Sequence, residues 1–156
     1  MNIELLKPGT FAIGANYLAS ESGIDMWRDW NPDAVRMELK QLAGNGLQIL
    51  RVVTVWSEFQ PLKHLKGWRK ESVRIGEPPL PDDEFGRAGI SPAMMERFQF
   101  LADESERNGL KLIVSLLGCW LSGRLYIPPA FENLNILSDP FVMNWQVKFI
   151  KAFVKH

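Results

Sequence analysis

The sequence predicts an α/β fold in which parallel strands alternate with helices, and three observations predict it. Apolar runs of strand character recur three times, and two of them are rich in β-branched residues. Each run is followed by an amphipathic helical pattern that opens on a capping residue and a proline. The connections are lopsided, short from helix to strand and long from strand to helix. Strand–helix–strand repetition of this kind builds right-handed βαβ units on a parallel sheet.

The first run is Phe11-Ala12-Ile13-Gly14-Ala15. The helix after it opens at Asn31-Pro32, carries Val35, Leu39 and Leu42 on one face, and ends at Gly44 and Gly46. The second run, Leu47 to Val55, is nearly continuous in apolar character, which suits a strand covered on both faces. Alternation places Arg51, Val53 and Val55 on one side of it and Leu50, Val52 and Thr54 on the other. Its helix opens at Ser91-Pro92, lines up Met94, Phe98 and Leu101, and stops at Asn108-Gly109. The third run, Leu110 to Leu117, leads to Asp139-Pro140 and a helix with Val142, Trp145, Phe149 and Ala152 on one face. At each opening a short oxygen-bearing side chain can accept first-turn amides. Proline at the next position forfeits nothing, because its missing N–H had no partner.

With 156 residues, 46% hydrophobic and 23% charged, the composition is that of an ordinary globular chain. A chain of this length buries about 68–70% of its unfolded surface. Acidic and basic residues balance at 18 each, so no strong field points to nucleic acid or an anionic membrane. Cys119 is the single cysteine, which excludes an intrachain disulfide and argues against a Cys-based zinc site. No Gly-x-Gly-x-x-Gly or Walker-type loop follows any strand, so no cofactor is expected. Residues 1–8 lack an apolar stretch of signal-peptide length, and no run approaches the roughly 20 residues that span a bilayer. The expectation is a cytoplasmic chain without membrane contact.

The long connections run from Asn16 to Trp30, from Trp56 to Ile90 and from Gly118 to Ser138, each well beyond or at the edge of the ~12–15 residues that compact domains usually tolerate without a purpose. All three leave the C-terminal ends of strands, where parallel α/β sheets place their sites. They hold Tyr17, Trp27, Trp30, Trp56, Phe59, Trp68, Trp120 and Tyr126. Axial C–H patches of sugar rings stack on aromatic faces, so an aromatic rim suits a saccharide cleft; alternatively, the loops use tryptophan to build small cores of their own. Arg51 stands mid-strand among apolar neighbours, where a guanidinium must be paired or reach water. Asn16 closes the first strand, as a hydroxyl-orienting side chain or a turn former. Glu58 reads as a solvated loop carboxylate, with an acid or base as the alternative, and the run Pro81-Asp82-Asp83-Glu84 as a solvated loop, with a cation site as the alternative. His64 is a lone loop histidine, and neither it nor the terminal His156 supports a metal site.

The stretches Gly14-Ala15-Asn16-Tyr17, Met26 to Pro32 and Gly46 to Val52 resemble the opening of clan A glycoside hydrolases. So do Trp56 with Phe59-Gln60-Pro61, and Leu116 to Arg124. The likeness is greatest to the cellulase and mannanase family, family five, and more distant to family forty-two β-galactosidases. It implies a (β/α)₈ TIM barrel and a retaining mechanism with two glutamates, at the ends of strands four and seven, about 5–5.5 Å apart. Arg51 matches the strand-two arginine that holds the nucleophile ionised, and Trp120 matches a strand-three aromatic of mannanase-like members. The histidine that many cellulase-like members carry near the end of strand three has no counterpart in this sequence.

Residues 1–156 are accordingly expected to be a single N-terminal segment of such a barrel, its first three β/α units, incomplete and without the catalytic glutamate pair. The expected substrate-binding residues are Asn16, Tyr17, Trp56 and Trp120, with Arg51 in support of the nucleophile and no metal. Expected partners are an oligosaccharide or polysaccharide of mannan or glucan type, and either a second copy of the chain or a C-terminal barrel fragment. Two other readings stay open: a non-catalytic saccharide-binding or assembly protein, and an unrelated small α/β domain.

Overall fold

The computed structural model describes residues 8–9, 11–66, 68 and 71–156. The expectation about the extreme N-terminus falls on residues 1–7, which lie outside the described residues. The chain divides into two compact units, one of Met1–Val52 with Phe98–Ser115 and one of Val53–Arg97 with Leu116–His156.

All three predicted strands and all three predicted helices are present. Strands β1 (Gly14–Asn16), β2 (Ile49–Val55) and β5 (Lys111–Gly118) form one sheet in the order β1-β2-β5. β1 runs parallel to β2 in the register Gly14 with Ile49, Ala15 with Leu50 and Asn16 with Arg51. β1 starts later than the apolar run suggests, because Phe11 and Ile13 are exposed and make no buried strand face. The long helices are α1 (Pro32–Gly44), α4 (Pro92–Arg107) and α5 (Pro140–Lys155). The Asn31 side chain accepts from the Ala34 amide, and Asp139 accepts from Phe141 and Val142, as the capping pattern requires. Glycines at positive φ stop α1 and α4. Beyond Gly46 (φ 87°) the Leu47 amide donates to Leu42, and beyond Gly109 (φ 72°) the Leu110 amide donates to Ser105. These six-to-one bonds satisfy carbonyls that the helix end leaves open.

In the first unit the helix-facing side of the strands is buried: Leu50 and Val52 are fully enclosed, with Val35, Leu39 and Leu101. Trp27 lies in this core at 0% exposure, stacked on Trp30 at 5.8 Å and tilted against Phe98 at 6.4 Å. The aromatics of the first long loop therefore serve packing. Glu104, buried on α4, accepts from Arg36 (3.3 Å) and from Arg107.

The second unit holds short elements that no periodicity announces: α2 (Trp56–Phe59), the hairpin β3 (Lys63–Lys66) with β4 (Glu71–Arg74), α3 (Glu84–Ala88), the hairpin β6 (Trp120–Leu121) with β7 (Arg124–Leu125), and a 3₁₀ turn at Pro129–Phe131. Its core joins Trp56, Leu62, Ala130, Phe131, Val142 and Trp145. The run Pro81 to Glu84 is not simply solvated. Asp83 caps α3 by accepting from the Gly86 amide (2.6 Å), and Glu84 accepts from Lys155 (2.8 Å). Lys155 first, and His156 with it, hold the Glu84 carboxyl below its usual value. His64 lies on β3 and stacks on Phe141 at 5.8 Å.

Candidate functional site

The first unit carries an open polar pair on the sheet. Parallel register sets Asn16 beside Arg51, and alternation turns both away from the buried Leu50 and Val52. Arg51 Nη1 donates to Asn16 Oδ1 at 3.2 Å. Both residues are exposed. Around them lies an open concavity of about 430 Å³ lined by Ala12, Gly14, Ala15, Ile49 and Ile113. Among the described residues Arg51 has no carboxylate partner, and it lines this concavity together with Asn16. An exposed guanidinium with free donors can take a carboxylate or a sugar hydroxyl, and Asn16 fixes one edge of its plane.

Tyr17 belongs to the opposite side of the strand. Its amide donates to the Arg51 carbonyl (2.9 Å), its ring is buried, and its phenol donates to Glu38 Oε2 on α1 (2.8 Å). Burial, then the hydrogen bond to Glu38 and that carboxylate's charge, push the phenol well above its ordinary value. The folded value exceeds the ordinary value of 10.0. The phenol's contribution to stability is therefore complete below about pH 10 and declines as pH rises beyond it. Urea unfolding followed from pH 8 to 12 should show stability falling in alkali, and the fall should be shallower in Tyr17→Phe; equal slopes would contradict the buried phenol.

The second unit holds the two predicted tryptophans, in opposite circumstances. Trp56, at 1% exposure, is a core residue. Its ring lies 5.6 Å from Phe131, and its Nε1 donates to Gln60 Oε1 at 2.8 Å. Trp120, at 67% exposure, stands on β6 opposite Leu125 and presents a free face. The tip of that hairpin uses positive φ at Ser122 (49°) and Gly123 (75°), and Leu117 at the end of β5 also has positive φ (53°). A non-glycine residue in this region stores of order 1–3 kcal/mol. Gln60 and Glu38 are partners that sequence reasoning misses. For Gln60 the available signals are its place in the motif Phe59-Gln60-Pro61 and its position four residues after Trp56, at the C-cap of α2.

Among the described residues no group of three or more His, Cys, Asp or Glu side chains could hold a metal, and no helix is long and apolar enough to cross a membrane.

No protein-family model matches this sequence, and no curated protein matches it. Solved structures do. An exo-β-1,4-mannosidase from Opitutaceae bacterium strain TAV5 superposes with a TM-score of 0.70 at 26% identity, over 92% of this chain and 22% of that one. A family 5, subfamily 18 glycoside hydrolase from Streptomyces cattleya, solved with Manβ1-4GlcNAc, gives a TM-score of 0.68 at 25% identity, over 91% and 29%. The subfamily 18 enzyme of Bifidobacterium longum subsp. longum ATCC 55813 shares the fold, with a TM-score of 0.71 at 18% identity over 93% and 30%. This chain thus spans less than a third of the length of each. Over nearly its whole length, it resembles part of the family 5 glycoside hydrolases, a mannosidase among them.

Proposed function

We propose that this chain is part of a retaining glycoside hydrolase acting on β-linked glycans of mannan or glucan type, and that its sheet is the first portion of an eight-stranded barrel within one domain. The observation that carries the reading is the exposed Arg51, held by Asn16 at 3.2 Å and unpaired with any carboxylate among the described residues. A retaining nucleophile must be ionised to attack, and a guanidinium with free donors stabilises that ionised form. The similarity to an exo-β-1,4-mannosidase and to an enzyme solved with Manβ1-4GlcNAc supports a β-mannosyl substrate. In this reading the two catalytic glutamates come from residues outside these 156, and the 156 residues alone do not cleave glycans. Asn16 orients a substrate hydroxyl and Trp120 stacks on a sugar ring. Tyr17 and Trp56, both buried, serve packing rather than substrate contact in this reading. The open sheet face of the first unit, with Ile113 exposed on it, is covered by the rest of the barrel or by a second copy.

Calorimetric and fluorescence titration with Manβ1-4GlcNAc, manno-oligosaccharides and cello-oligosaccharides tests the saccharide reading. Stacking on one aromatic without an opposite wall supports a Kd of about 1 mM, roughly 4 kcal/mol, or weaker. Trp120→Ala should remove that binding. A flat response of the wild-type chain to every oligosaccharide would defeat the reading. Turnover of an aryl β-mannoside by these 156 residues, abolished by Glu58→Gln, would overturn the assignment of the carboxylates to residues outside them.

A further inference from the structure

We propose that Glu38 is a positioning residue for the Asn16–Arg51 pair, acting through Tyr17 to clamp the end of β1 so that Asn16 stays in register with Arg51. The proposal rests on the reading of Asn16 and Arg51 as the polar part of a saccharide site, and it adds a residue that neither the sequence nor that reading assigns.

The problem Glu38 solves is local. β1 is three residues long and lies at one edge of the three-stranded sheet, so little ladder holds it. Asn16 is its last residue. The next rung is the Tyr17 amide on the Arg51 carbonyl (2.9 Å), and beyond it the chain leaves the sheet. A strand end of this kind frays unless something beyond it is tied down. Tyr17 is the tie. Alternation sends its side chain to the side opposite Asn16, where it is buried, and its phenol reaches Glu38 Oε2 at 2.8 Å. The other carboxylate oxygen, Oε1, accepts from the Ser20 amide at 2.9 Å. One carboxylate on α1 thus grips the departing chain at two points three residues apart. The Ala19–Gly23 bridge, with the Gly23 amide on the Ala19 carbonyl at 2.7 Å, folds the chain back immediately afterwards. Residue 16 is therefore bounded by the β1–β2 ladder before it and by a doubly bonded anchor after it. The Asn16 Oδ1 that orients Arg51 inherits its position from both.

The carboxylate oxygens of Glu38 bond to Tyr17 and Ser20 rather than to Asn16 or Arg51, so its effect reaches the pair through Tyr17 and the strand. The decisive readout is consequently the state of Arg51 itself. Nitrogen-15 NMR of the arginine side chains, with Arg51 assigned by Arg51→Lys, reports whether the guanidinium is held or rotates freely. In the wild-type chain Arg51 should give a resolved, slowly rotating guanidinium. Tyr17→Phe and Glu38→Ala should collapse it to the averaged signal of a free arginine in a chain that still unfolds cooperatively. Glu38→Gln, which keeps an oxygen acceptor for the phenol, should recover part of the held signal. In parallel, tyrosinate absorbance in a Tyr126→Phe background, which leaves Tyr17 as the one tyrosine, should show the phenol ionising at lower pH once Glu38 is replaced. With Manβ1-4GlcNAc as the probe, Tyr17→Phe and Glu38→Ala should weaken binding about fivefold, the factor that one ordinary hydrogen bond represents.

An unchanged Arg51 signal in folded Glu38→Ala, or in Glu38→Gln and Tyr17→Phe if the alanine variant does not fold, overturns the proposal. If Arg51 responds to Glu38 and Tyr17 while the wild-type chain binds no saccharide, the clamp stands and the saccharide reading falls. If saccharide binds and neither variant moves Arg51, the saccharide reading stands and the clamp falls.

Discussion

Gln60→Ala is expected to cost the folded chain more than about 3 kcal/mol, because one fully buried amide satisfies three other buried groups. Gln60 has 0% exposure. Its Oε1 accepts from the Trp56 indole at 2.8 Å, and its Nε2 donates to the carbonyls of Ala88 (2.7 Å) and Trp145 (3.0 Å). The side chain thereby joins the first residue of α2, the last residue of α3 and the interior of α5 at one point in the second unit. Truncation leaves the indole N–H without its acceptor and removes a donor from two carbonyls. Orphaning a buried polar group costs about 1–3 kcal/mol, and the vacated volume adds to that. Trp56→Phe removes the indole donor alone and should cost distinctly less than Gln60→Ala if the two carbonyls matter. Gln60→Leu fills the space, still orphans the indole N–H and removes the same donor from the two carbonyls, so it separates the polar contribution from the cavity. Urea unfolding followed by tryptophan fluorescence measures all three variants. A Gln60→Ala chain within about 0.5 kcal/mol of the wild type would mean that the three groups find other partners, and the account of this core would be wrong.

Long elements are legible in the sequence because they carry their own periodicity and punctuation. The residues Leu50 and Val52 that alternation assigns to one face are buried together, and Asn31 and Asp139 cap the helices whose openings they mark. Ile113 is 54% exposed, whereas Val53 and Val55, which alternation places on the side of Arg51, are buried in the second unit. There the backbone of Gly118 approaches Val53 closely enough that a Cβ at position 118 would collide with its Cγ1. What periodicity does not encode is the second unit's set of two- to five-residue elements. Elements that short have no stable existence of their own and form where a core such as Trp56, Leu62 and Phe131 holds them. The same limit governs the candidate site. Arg51 is conspicuous as a charge within an apolar strand. Tyr17 and Trp56 look from the sequence like Trp120, yet the structure buries the first two and exposes the third. Aromatic residue type carries no mark of which role it serves; the partners decide, as Glu38 does for Tyr17 and Gln60 for Trp56. Those partners lie at sequence separations of 21 and 4 residues, and only the shorter falls within a window that local patterns cover.

Two glycine-to-alanine substitutions should move stability in opposite directions, although both glycines lie in helices. Gly86 is buried in α3, its amide held by Asp83 Oδ1 at 2.6 Å. A Cβ there would press on the carbonyl oxygen, carbonyl carbon and Cα of Pro81, all of them backbone atoms that no rotamer change can move away. Gly86→Ala must therefore shift the Pro81 segment or unseat α3, at the upper end of the roughly 1–3 kcal/mol that overpacking costs, or above it. Gly44, the last residue of α1, has nothing within 4 Å of its ideal Cβ. There alanine restricts the unfolded chain without meeting an obstacle, and Gly44→Ala should stabilise by about 0.4–1 kcal/mol. The sign difference discriminates close approach from backbone entropy, because an entropic account alone makes both substitutions favourable. Gly86→Ala should also be strongly non-additive with Gln60→Ala. The Ala88 carbonyl that Gln60 requires belongs to α3, so a chain that has already unseated that helix has little left to lose when the amide goes. Chemical denaturation of the two single variants and the double variant gives the coupling directly. A full sum of the two costs would show that α3 keeps its seat in Gly86→Ala and that the Pro81 segment, not the helix, gives way.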